Sequence, residues 1–333
     1  MVSPVIYLVL NMAPQAYQLG RACKCGWMCR QIFITGCKNS FNSAACKIIL
    51  HSSSPEGCLQ FVNFPFQSLN MMQLKYLCLI ILAVNFSCSP GIPQTDIPQP
   101  IWSDEFNYAG LPDSTKWNYD VGGQGWGNNE LQYYAKDRLK NARVESGNLV
   151  IEAHKEKFET NDYSSARLIS KGKGDWKYGR IDVRAKLPKG LGTWPAIWML
   201  ASSTPLKWPD DGEIDIMEHV GYDHGKIHGS VHTKKYYHSI GTQKSAFTMV
   251  PDCSENFHVY GLIWDAEKLQ VSVDGKVYFT FQNEHTTREA WPFDQPFHLL
   301  LNIAVGGNWG GQKGVDENIW PQRMEIDFVR VYK

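Results

Sequence analysis

The segment at 208–219 has the sequence Trp-Pro-Asp-Asp-Gly-Glu-Ile-Asp-Ile-Met-Glu-His, in which acidic and apolar residues alternate. Successive side chains of a β-strand point to opposite faces, so Glu213, Asp215 and Met217 would share one face of a regular strand. Glu218 would then point the other way. A one-residue bulge near Met217 would return Glu218 to the face of the other two acids, and bulges occur beside active sites. The segment therefore predicts a bulged strand with three carboxyl groups on one face.

Three carboxyl groups on one face of a strand destabilise the fold, which suggests that they have a function. Neighbouring like charges repel, so the pKa of at least one of them must rise, and a general acid that works near neutrality needs a raised pKa. A retaining glycosidase uses two carboxyl groups about 5–5.5 Å apart, one as nucleophile and one as acid/base. Five residues of extended strand span about 16 Å. The bulge and the curvature of a concave sheet must therefore bring Glu213 and Glu218 together.

Two other interpretations of the acidic segment are a calcium site and a solvated acidic edge. Acids spaced two apart can bind Ca²⁺, but the apolar residues Ile214, Ile216 and Met217 do not resemble a ligand loop. A solvated edge would not normally follow closely on Trp194 and Trp198. Catalysis is the interpretation that we favour.

The sequence around this segment predicts an all-β fold for residues 101–333. Short runs rich in β-branched and aromatic residues recur between Gly, Asp, Asn and Pro, as in antiparallel sandwiches and jelly rolls. Asp274-Gly275 separates two such runs and predicts a tight hairpin. The clearest predicted strands lie at 148–153, 179–187, 226–233, 258–264, 268–273 and 324–332.

Aromatic and polar residues near the acids are candidates for sugar binding. The faces of sugar rings stack on aromatic side chains, although for any single tryptophan packing in the core is the more common role. Trp126 and Trp309 lie in glycine-rich segments, which favours loops at the rim of a groove. The candidate platforms are Trp194, Trp198, Trp208 and Trp309. The candidate hydrogen-bonding residues are Asn128, Glu130, Arg167 and His232, each of which has a structural role as an equal alternative.

The first 88 residues differ in kind from the rest of the chain. They hold six of the 33 basic residues, one of the 33 acidic residues and eight of the nine cysteines. The remainder has 27 basic and 32 acidic residues and one cysteine, Cys253, so it can form no internal disulfide. The formal net charge of the whole chain is zero, which gives no reason to expect a nucleic-acid partner.

An export signal is predicted at 71–88, where Lys75 precedes a short apolar run that ends near Cys88. Ser87-Cys88 resembles a lipoprotein box, and a plain secretory signal is the alternative. Because such signals begin chains, we interpret residues 1–70 as a mis-extended N-terminus with no expected fold. Residues 89–100 contain four prolines and predict a linker. The protein is thus expected to be exported, either extracellular or membrane-anchored through a lipid on Cys88.

The body of the chain resembles the laminarinase branch of glycoside hydrolase family 16. The resemblance rests on Glu-Ile-Asp-Ile-Met-Glu at 213–218 and on Gly-Thr-Trp-Pro-Ala-Ile-Trp-Met-Leu at 192–200. It extends to Trp-Ser-Asp-Glu-Phe at 102–106, His-Gly-Ser-Val-His at 228–232 and Ile-Asp-Phe-Val-Arg-Val-Tyr at 326–332. The motif contains the extra bulge residue that lichenases and xyloglucan transglycosylases lack.

This resemblance implies a β-jelly-roll with a concave cleft and an endo-hydrolase of β-1,3- or mixed β-1,3/1,4-glucan that retains anomeric configuration. It implies that Glu213 is the nucleophile, Glu218 the acid/base, and that Asp215 shares a proton with the nucleophile. Catalysis would need no cofactor. A structural Ca²⁺ is implied at three positions, and we expect the protein to be a monomer. The implied calcium ligands are Glu105, the carbonyl group of Gly147 and Asp327.

Two alternative functions remain open at this point. Hydrolases of algal galactans such as agar, porphyran and carrageenan use the same bulged motif, but the Trp-Pro-Ala-Ile-Trp-Met-Leu stretch argues against them. A non-catalytic β-glucan-binding sandwich is an alternative of another class. Proteins of that kind lose catalytic glutamates, whereas both are present here.

Overall fold

The computed structural model describes residues 99–333 in full and, before them, the backbone of three strands. These are β1 (Ile32–Thr35), β2 (Ala45–Leu50) and β3 (Gln60–Pro65), which pair antiparallel in that order. They belong to one compact unit, Met1–Thr95, and the rest of the chain forms a second, Asp96–Lys333.

Three strands lie within residues 1–70, for which we expected no fold. Their sequences are rich in β-branched and aromatic residues, which favour extended backbone. That these residues are a mis-extended start stays a prediction. The predicted export signal, with Cys88, and the linker as far as residue 98 lie outside the described residues. In the part that is described, no helix is long and apolar enough to cross a membrane.

The second unit is built of strands, with short 3-10 helices at Gly125–Gly127 and His238–Ile240. Its strands are β4 (Trp102–Asp104), β5 (Asn118–Tyr119), β6 (Gln132–Tyr134), β7 (Ala142–Glu145), β8 (Asn148–Phe158), β9 (Asn161–Ser165), β10 (Arg167–Ile169), β11 (Asp175–Trp176), β12 (Gly179–Lys186), β13 (Thr193–Ala201), β14 (Glu213–Glu218), β15 (Lys226–His232), β16 (Lys244–Met249), β17 (His258–Trp264), β18 (Lys268–Val273), β19 (Lys276–Gln282), β20 (Phe297–Val305) and β21 (Gln322–Tyr332).

These strands form two sheets. The eight-stranded sheet has the order β16-β15-β14-β13-β20-β10-β5, with β11 also paired to β20. The ten-stranded sheet has the order β19-β18-β17-β12-β21-β8-β9-β6, with β4 on β21 and β7 on β8. Neighbouring strands are antiparallel except β6 and β9, which are parallel. The predicted antiparallel sandwich is confirmed, with this one parallel pair as an addition.

The predicted hairpin at Asp274-Gly275 joins β18 to β19. Val273 pairs with Lys276, so the turn has two residues. Asp274 has φ 49° and Gly275 has φ 77°. Two successive positive φ values give a turn whose twist matches that of the strands, which is why Asp-Gly is favoured there.

The eight-stranded sheet has one face in the core and one face on a cleft. In β20, Leu299, Leu301 and Ile303 are fully buried in the core cluster, whereas Asn302 and Ala304 line the cleft. Alternation along this strand therefore sends apolar side chains inward and leaves every second residue available to a ligand. The cleft has a volume of about 340 Å³.

Candidate active site

The strand with the acids, β14, contains the predicted bulge. Ile216 and Met217 are adjacent in sequence, yet both are fully buried in the core cluster. The three residue steps from Asp215 to Glu218 match two steps on β15, and the pairing with β13 shifts at the same place. The extra residue turns Glu218 back to the cleft face, so the prediction of a bulge here is confirmed.

Cross-strand pairing arranges the cleft face of the sheet in three rows, which we name after their acids. The Glu218 row is Arg167, Asn302, Ala196, Glu218, His228 and Phe247. The Asp215 row is Ile169, Leu300, Trp198, Asp215, Ser230 and Ser245. The Glu213 row is His298, Leu200, Glu213 and His232. The Asp215 row lies between the other two, so the two glutamates flank it from opposite sides.

The bulge also shortens the span between the two glutamates. Their partners on β15, His232 and His228, are four residues apart, about 13 Å along a strand. Each glutamate is held by an indole: Trp208 Nε1 donates to Glu213 Oε2 at 2.9 Å, and Trp194 Nε1 donates to Glu218 Oε1 at 3.0 Å. Both carboxyl groups line the same cleft. The arrangement suits attack on a bound saccharide from one side and proton transfer from the other.

Asp215 is 2 % exposed and lies beside Glu213. Burial raises the pKa of Asp215, and its hydrogen bond with Glu213 opposes that rise. Burial likewise raises the pKa of Glu213, and the nearby Asp215 charge raises it further. Two carboxyl groups in contact cannot both ionise easily, which favours the predicted sharing of one proton between them. Because the indole of Trp208 also donates to Glu213, the negative charge is best stabilised on Glu213, as a nucleophile requires.

His232 lies on the side of Glu213 and Asp215 that faces β15. Its Nε2 is 3.3 Å from Asp215 Oδ2 and 3.7 Å from Glu213 Oε1, and the residue is 7 % exposed. We predicted that His232 binds sugar, but this position places it against the acids. The bulge sets the register that causes this contact. His232 is therefore placed to hold the two acids in position.

Glu218 has the electrostatic surroundings of a general acid. Burial is the largest cause that raises its pKa, and the Asp215 charge adds to it. The indole N–H of Trp194 acts in the opposite direction because it stabilises the ionised form. The carboxyl group of Glu218 therefore stays protonated to a higher pH than an exposed glutamate. The hydrogen bond from Trp194 makes this rise in pKa smaller.

We expect Trp194→Phe to move the alkaline limb of the kcat/KM profile upward by about one pH unit, because a hydrogen bond to a charged group contributes ~1.5–3 kcal/mol. The acid must be protonated for bond cleavage, so activity is lost as pH rises through the pKa of Glu218. Removal of the N–H donor raises that pKa. The midpoint of the alkaline limb is read from the shape of the pH profile, so a lower overall rate of the variant does not affect it. An unmoved or lowered limb would contradict this assignment of Trp194.

Trp198 forms the floor of the cleft next to Asp215. The Arg167 guanidinium lies 4.6 Å from the Trp198 ring centroid and 4.8 Å from that of Trp126, and Arg167 Nε is 3.0 Å from Asp120 Oδ2. Cation–π contacts on both sides hold the two indoles in fixed positions. Trp198 and Arg167 both line the cleft, and their predicted roles in sugar binding stay predictions.

A hydrogen-bond network fixes the polar wall of the cleft around Glu130. Gln132 Nε2 donates to Glu130 Oε2 at 2.7 Å, and Asn128 Nδ2 donates to Oε1 at 3.3 Å. Burial raises the pKa of Glu130, and these two donors oppose the rise. Tyr134 also donates to Glu130 and accepts from Asn302. The predicted residues Asn128 and Glu130 both line the cleft.

Of the remaining predicted tryptophans, Trp208 lines the cleft and Trp309 lies behind Trp194, outside the cleft lining. Trp208, 40 % exposed, is carried by the loop between β13 and β14. The buried carboxyl group of Asp211 anchors that loop by accepting from Ser203 Oγ and Lys207 N. Trp309 packs edge-on against Trp194, with 5.5 Å between ring centroids. Trp309 therefore supports Trp194 instead of standing alone at the rim.

Two residues of the cleft were absent from the sequence prediction. Asn302 Oδ1 accepts from Trp198 Nε1 at 2.7 Å and lies in the Glu218 row. An amide between the apolar runs Leu-Leu-Leu and Ile-Ala-Val of this strand was the signal that could have identified it. His238 contacts Trp208, with 5.4 Å between ring centroids. It is the first residue of the short 3-10 helix His238–Ile240, and no local sequence pattern marks it.

The implied calcium ligands do not form a cluster of free donors in this structure. Glu105 makes a bidentate ion pair with Arg330, at 2.9 and 2.7 Å. Asp327 accepts from Arg184 Nη1 at 2.6 Å. Carboxylates and a carbonyl oxygen are suitable ligands for Ca²⁺, but here the guanidinium groups already neutralise both acids. Calcium binding stays a prediction.

Among the described residues, His219, His224 and Cys253 also place potential metal ligand atoms within 4.8 Å of one another. His219 Nε2 accepts a hydrogen bond from the backbone N–H of Gly225. A neutral imidazole that accepts at Nε2 carries its proton on Nδ1 and has no lone pair left for an ion. This group therefore does not fit a metal in the arrangement observed.

Comparison with known proteins identifies the family of this chain. The family model for Glycosyl hydrolases family 16 matches residues 129–330, well over half of the chain. The chain belongs to glycosyl hydrolase family 16. The predicted family and the predicted class of enzyme, a glycoside hydrolase, are confirmed.

Relatives of this family 16 hydrolase include proteins of known structure. A β-glucanase of Rhodothermus marinus is 55% identical over 241 residues, which are 70% of this chain and 84% of that protein. The structure of the laminarinase from Rhodothermus marinus is 52% identical, with a TM-score of 0.70, and the match covers 71% of this chain and 98% of that one.

A third relative was crystallised with a ligand. SCLam, a non-specific endo-β-1,3(4)-glucanase of the same family, was solved with 1,3-β-D-cellobiosyl-glucose at its active site. It is 48% identical with a TM-score of 0.69, and the match covers 73% of this chain and 96% of that one. The jelly-roll prediction is confirmed by these neighbours.

Proposed function

We propose that this family 16 hydrolase is a retaining endo-glycosidase that cuts internal β-1,3 or mixed β-1,3/1,4 glucosidic bonds of laminarin-type polysaccharides. The observation that carries the proposal is the pair of partly buried glutamates on opposite sides of the Asp215 row. Relatives described as laminarinase and endo-β-1,3(4)-glucanase support the choice of substrate.

The rows of the cleft face support cleavage inside a polymer. The cleft face of the sheet continues on both sides of Asp215, through Trp198 in one direction and through Ser230 and Ser245 in the other. A chain that crosses the strands over this face extends beyond the cut bond at both ends. Such a site suits an endo-acting enzyme.

The proposed reaction has two displacements. In the first, Glu213 attacks the anomeric carbon while Glu218 donates its proton to the leaving glycosidic oxygen, and a covalent glycosyl-enzyme forms with inversion. In the second, the Glu218 carboxylate takes a proton from a water molecule that attacks the same carbon and releases Glu213. The second inversion restores the β-configuration, and Glu218 is protonated again.

The aromatic residues of the cleft account for sugar binding. The face of a pyranose ring has C–H groups that stack on an indole, with hydroxyl groups left at the rim for polar contacts. Trp198 on the floor and Trp208 at the side offer such faces, and Asn128 and Glu130 lie on the polar wall. The walls thus place apolar area under the sugar and hydrogen-bonding groups at its edge.

We expect release of reducing ends from laminarin and, at equal or lower rate, from lichenan, and no activity on agarose, porphyran or carrageenan. ¹H NMR early in the digestion of laminarin should show the β-anomer of the new reducing end before mutarotation. Activity on a galactan alone would favour the alternative substrate class, and glucan binding without turnover would favour a non-catalytic sandwich. An α-anomer as first product would contradict double displacement.

The expectations of export, of a lipid on Cys88 and of a monomeric state stay predictions.

A further inference from the structure

The edge strand of the cleft sheet exposes large apolar side chains. In β16, Phe247 and Met249 are each 55 % exposed, while Ala246 between Ser245 and Phe247 packs toward the core. Edge strands usually carry charged or short side chains because exposed apolar edges promote aggregation. Two exposed apolar residues on the cleft face of such a strand therefore call for a functional explanation.

Phe247 is the outermost member of the Glu218 row. Glu218 pairs with His228 on β15, and His228 pairs with Phe247 on β16. Phe247 is thus two strands from the acid/base, about 10 Å at the usual strand spacing. A β-glucan chain that follows the row covers that distance with about two sugar units.

Ring contacts connect the acid/base to this edge. Trp194 donates to Glu218 and packs against Trp309, which lies 5.1 Å from His228 between ring centroids. His228 in turn lies 5.9 Å from the ring of Phe247. The aromatic surface therefore continues without interruption from the catalytic acid to the edge of the sheet.

The ring of Phe247 is also oriented. The ammonium group of Lys226 lies 4.4 Å from its centroid and is 3.2 Å from Asp223. A cation over one face limits the rotation of an aromatic ring, while more than half of the side chain remains accessible to a ligand. An oriented, accessible phenyl ring on the path of the substrate has the properties of a stacking platform.

We propose that Phe247 forms a sugar-binding subsite about two units from the cleaved bond, on the β15–β16 side of the cleft, and that it makes the enzyme prefer long β-glucan chains. The ligand is a glucosyl unit of the same polysaccharide that is cut at Glu213 and Glu218. This inference rests on the proposed function.

The test compares kcat/KM on reduced laminari-oligosaccharides of increasing length. Phe247→Ala should lower kcat/KM on laminarihexaose about 5- to 10-fold, as expected for loss of one aromatic contact, and should leave laminaritriose, which can be cut with a single unit on the Phe247 side of the bond, nearly unchanged. The positions at which laminarihexaose is cut should shift, because one end of the chain loses its anchor. Phe247→Tyr, which keeps a ring, should restore both the rate and the cleavage pattern.

Met249→Ala is the matched control, since Met249 has the same exposure on the same face but pairs with Lys226, outside the Glu218 row. It should keep the chain-length dependence of the unaltered enzyme. An equal effect of Phe247→Ala on all lengths, or an equal effect of both substitutions, would overturn the subsite. Failure of the unaltered enzyme to cut any laminari-oligosaccharide would instead refute the proposed function.

Discussion

Replacing Glu213 with glutamine is expected to lower kcat on laminarin by on the order of 10⁵-fold, the scale seen when a covalent nucleophile is lost. The amide has the shape of the carboxyl group and its oxygen can still accept from Trp208 Nε1. It cannot form the covalent glycosyl-enzyme. Because Trp198 and the polar wall are untouched, the affinity for laminarin should change little, which isothermal titration calorimetry with the inactive variant measures directly.

The same substitution should leave thermal stability equal or raise it. Burial and the Asp215 charge both raise the pKa of Glu213, which means that the folded protein holds this acid at a cost. An uncharged amide removes the repulsion, and catalytic groups are often destabilising in this way. A melting temperature well below that of the unaltered enzyme would mean that lost activity reflects damage to the fold. Glu255→Gln, at an exposed position, provides the control and should match the unaltered enzyme in both rate and stability.

Chemical rescue separates the role of Glu213 from a merely structural one. In Glu213→Gly, azide can occupy the space of the lost carboxylate and attack the anomeric carbon in a single inversion, giving an α-glycosyl azide. Only a variant that lacks its nucleophile should give this product. Recovery of a β-glycosyl azide from this variant would mean that Glu213 is the acid/base and Glu218 the nucleophile.

Local sequence pattern was sufficient for the strand that carries the chemistry. Alternation in Glu-Ile-Asp-Ile predicted which face each residue takes, and the offset of Glu218 demanded one extra residue. The structure places that residue at Ile216–Met217, where two successive side chains enter the core. The hairpin at Asp274-Gly275 was likewise local, because both residues tolerate positive φ. Features that depend on one segment were therefore predictable.

Contacts that depend on strand order were not predictable from the sequence. Arg167 lies between Trp126 and Trp198 because β10 pairs with β20 and β20 with β13, an order that the sequence does not display. The contact of His232 with Asp215 likewise follows from pairing between β14 and β15 beyond the bulge. The ring contact between His238 and Trp208 joins the 3-10 helix after β15 to the loop between β13 and β14. In each case residue type indicated a polar or aromatic role, but long-range register decided the partner.

Replacing Glu218 with alanine is expected to have an effect that depends on the leaving group. On laminarin, whose leaving alcohol needs a proton, kcat/KM should fall by about 10³–10⁴-fold, the usual contribution of general acid–base catalysis at its upper end. On 2,4-dinitrophenyl β-laminaribioside the leaving phenolate needs no proton, so kcat/KM should remain within about 10-fold. Stopped-flow absorbance should show a burst of phenolate, since the glycosyl-enzyme still forms but lacks the base that activates water.

Azide should give products of opposite configuration with the variants of Glu218 and of Glu213. In Glu218→Ala, azide needs no general base, so it should attack the accumulated glycosyl-enzyme, speed turnover of the activated substrate and give a β-glycosyl azide after two inversions. Glu218→Gln should show the same split between substrates, although the bulkier amide leaves less room for azide. A loss of similar size on both substrates, with no burst, would contradict the role of Glu218 as acid/base. Since both variants alter acids on one strand, the opposite configurations of the two azides assign each role to its own side of the Asp215 row.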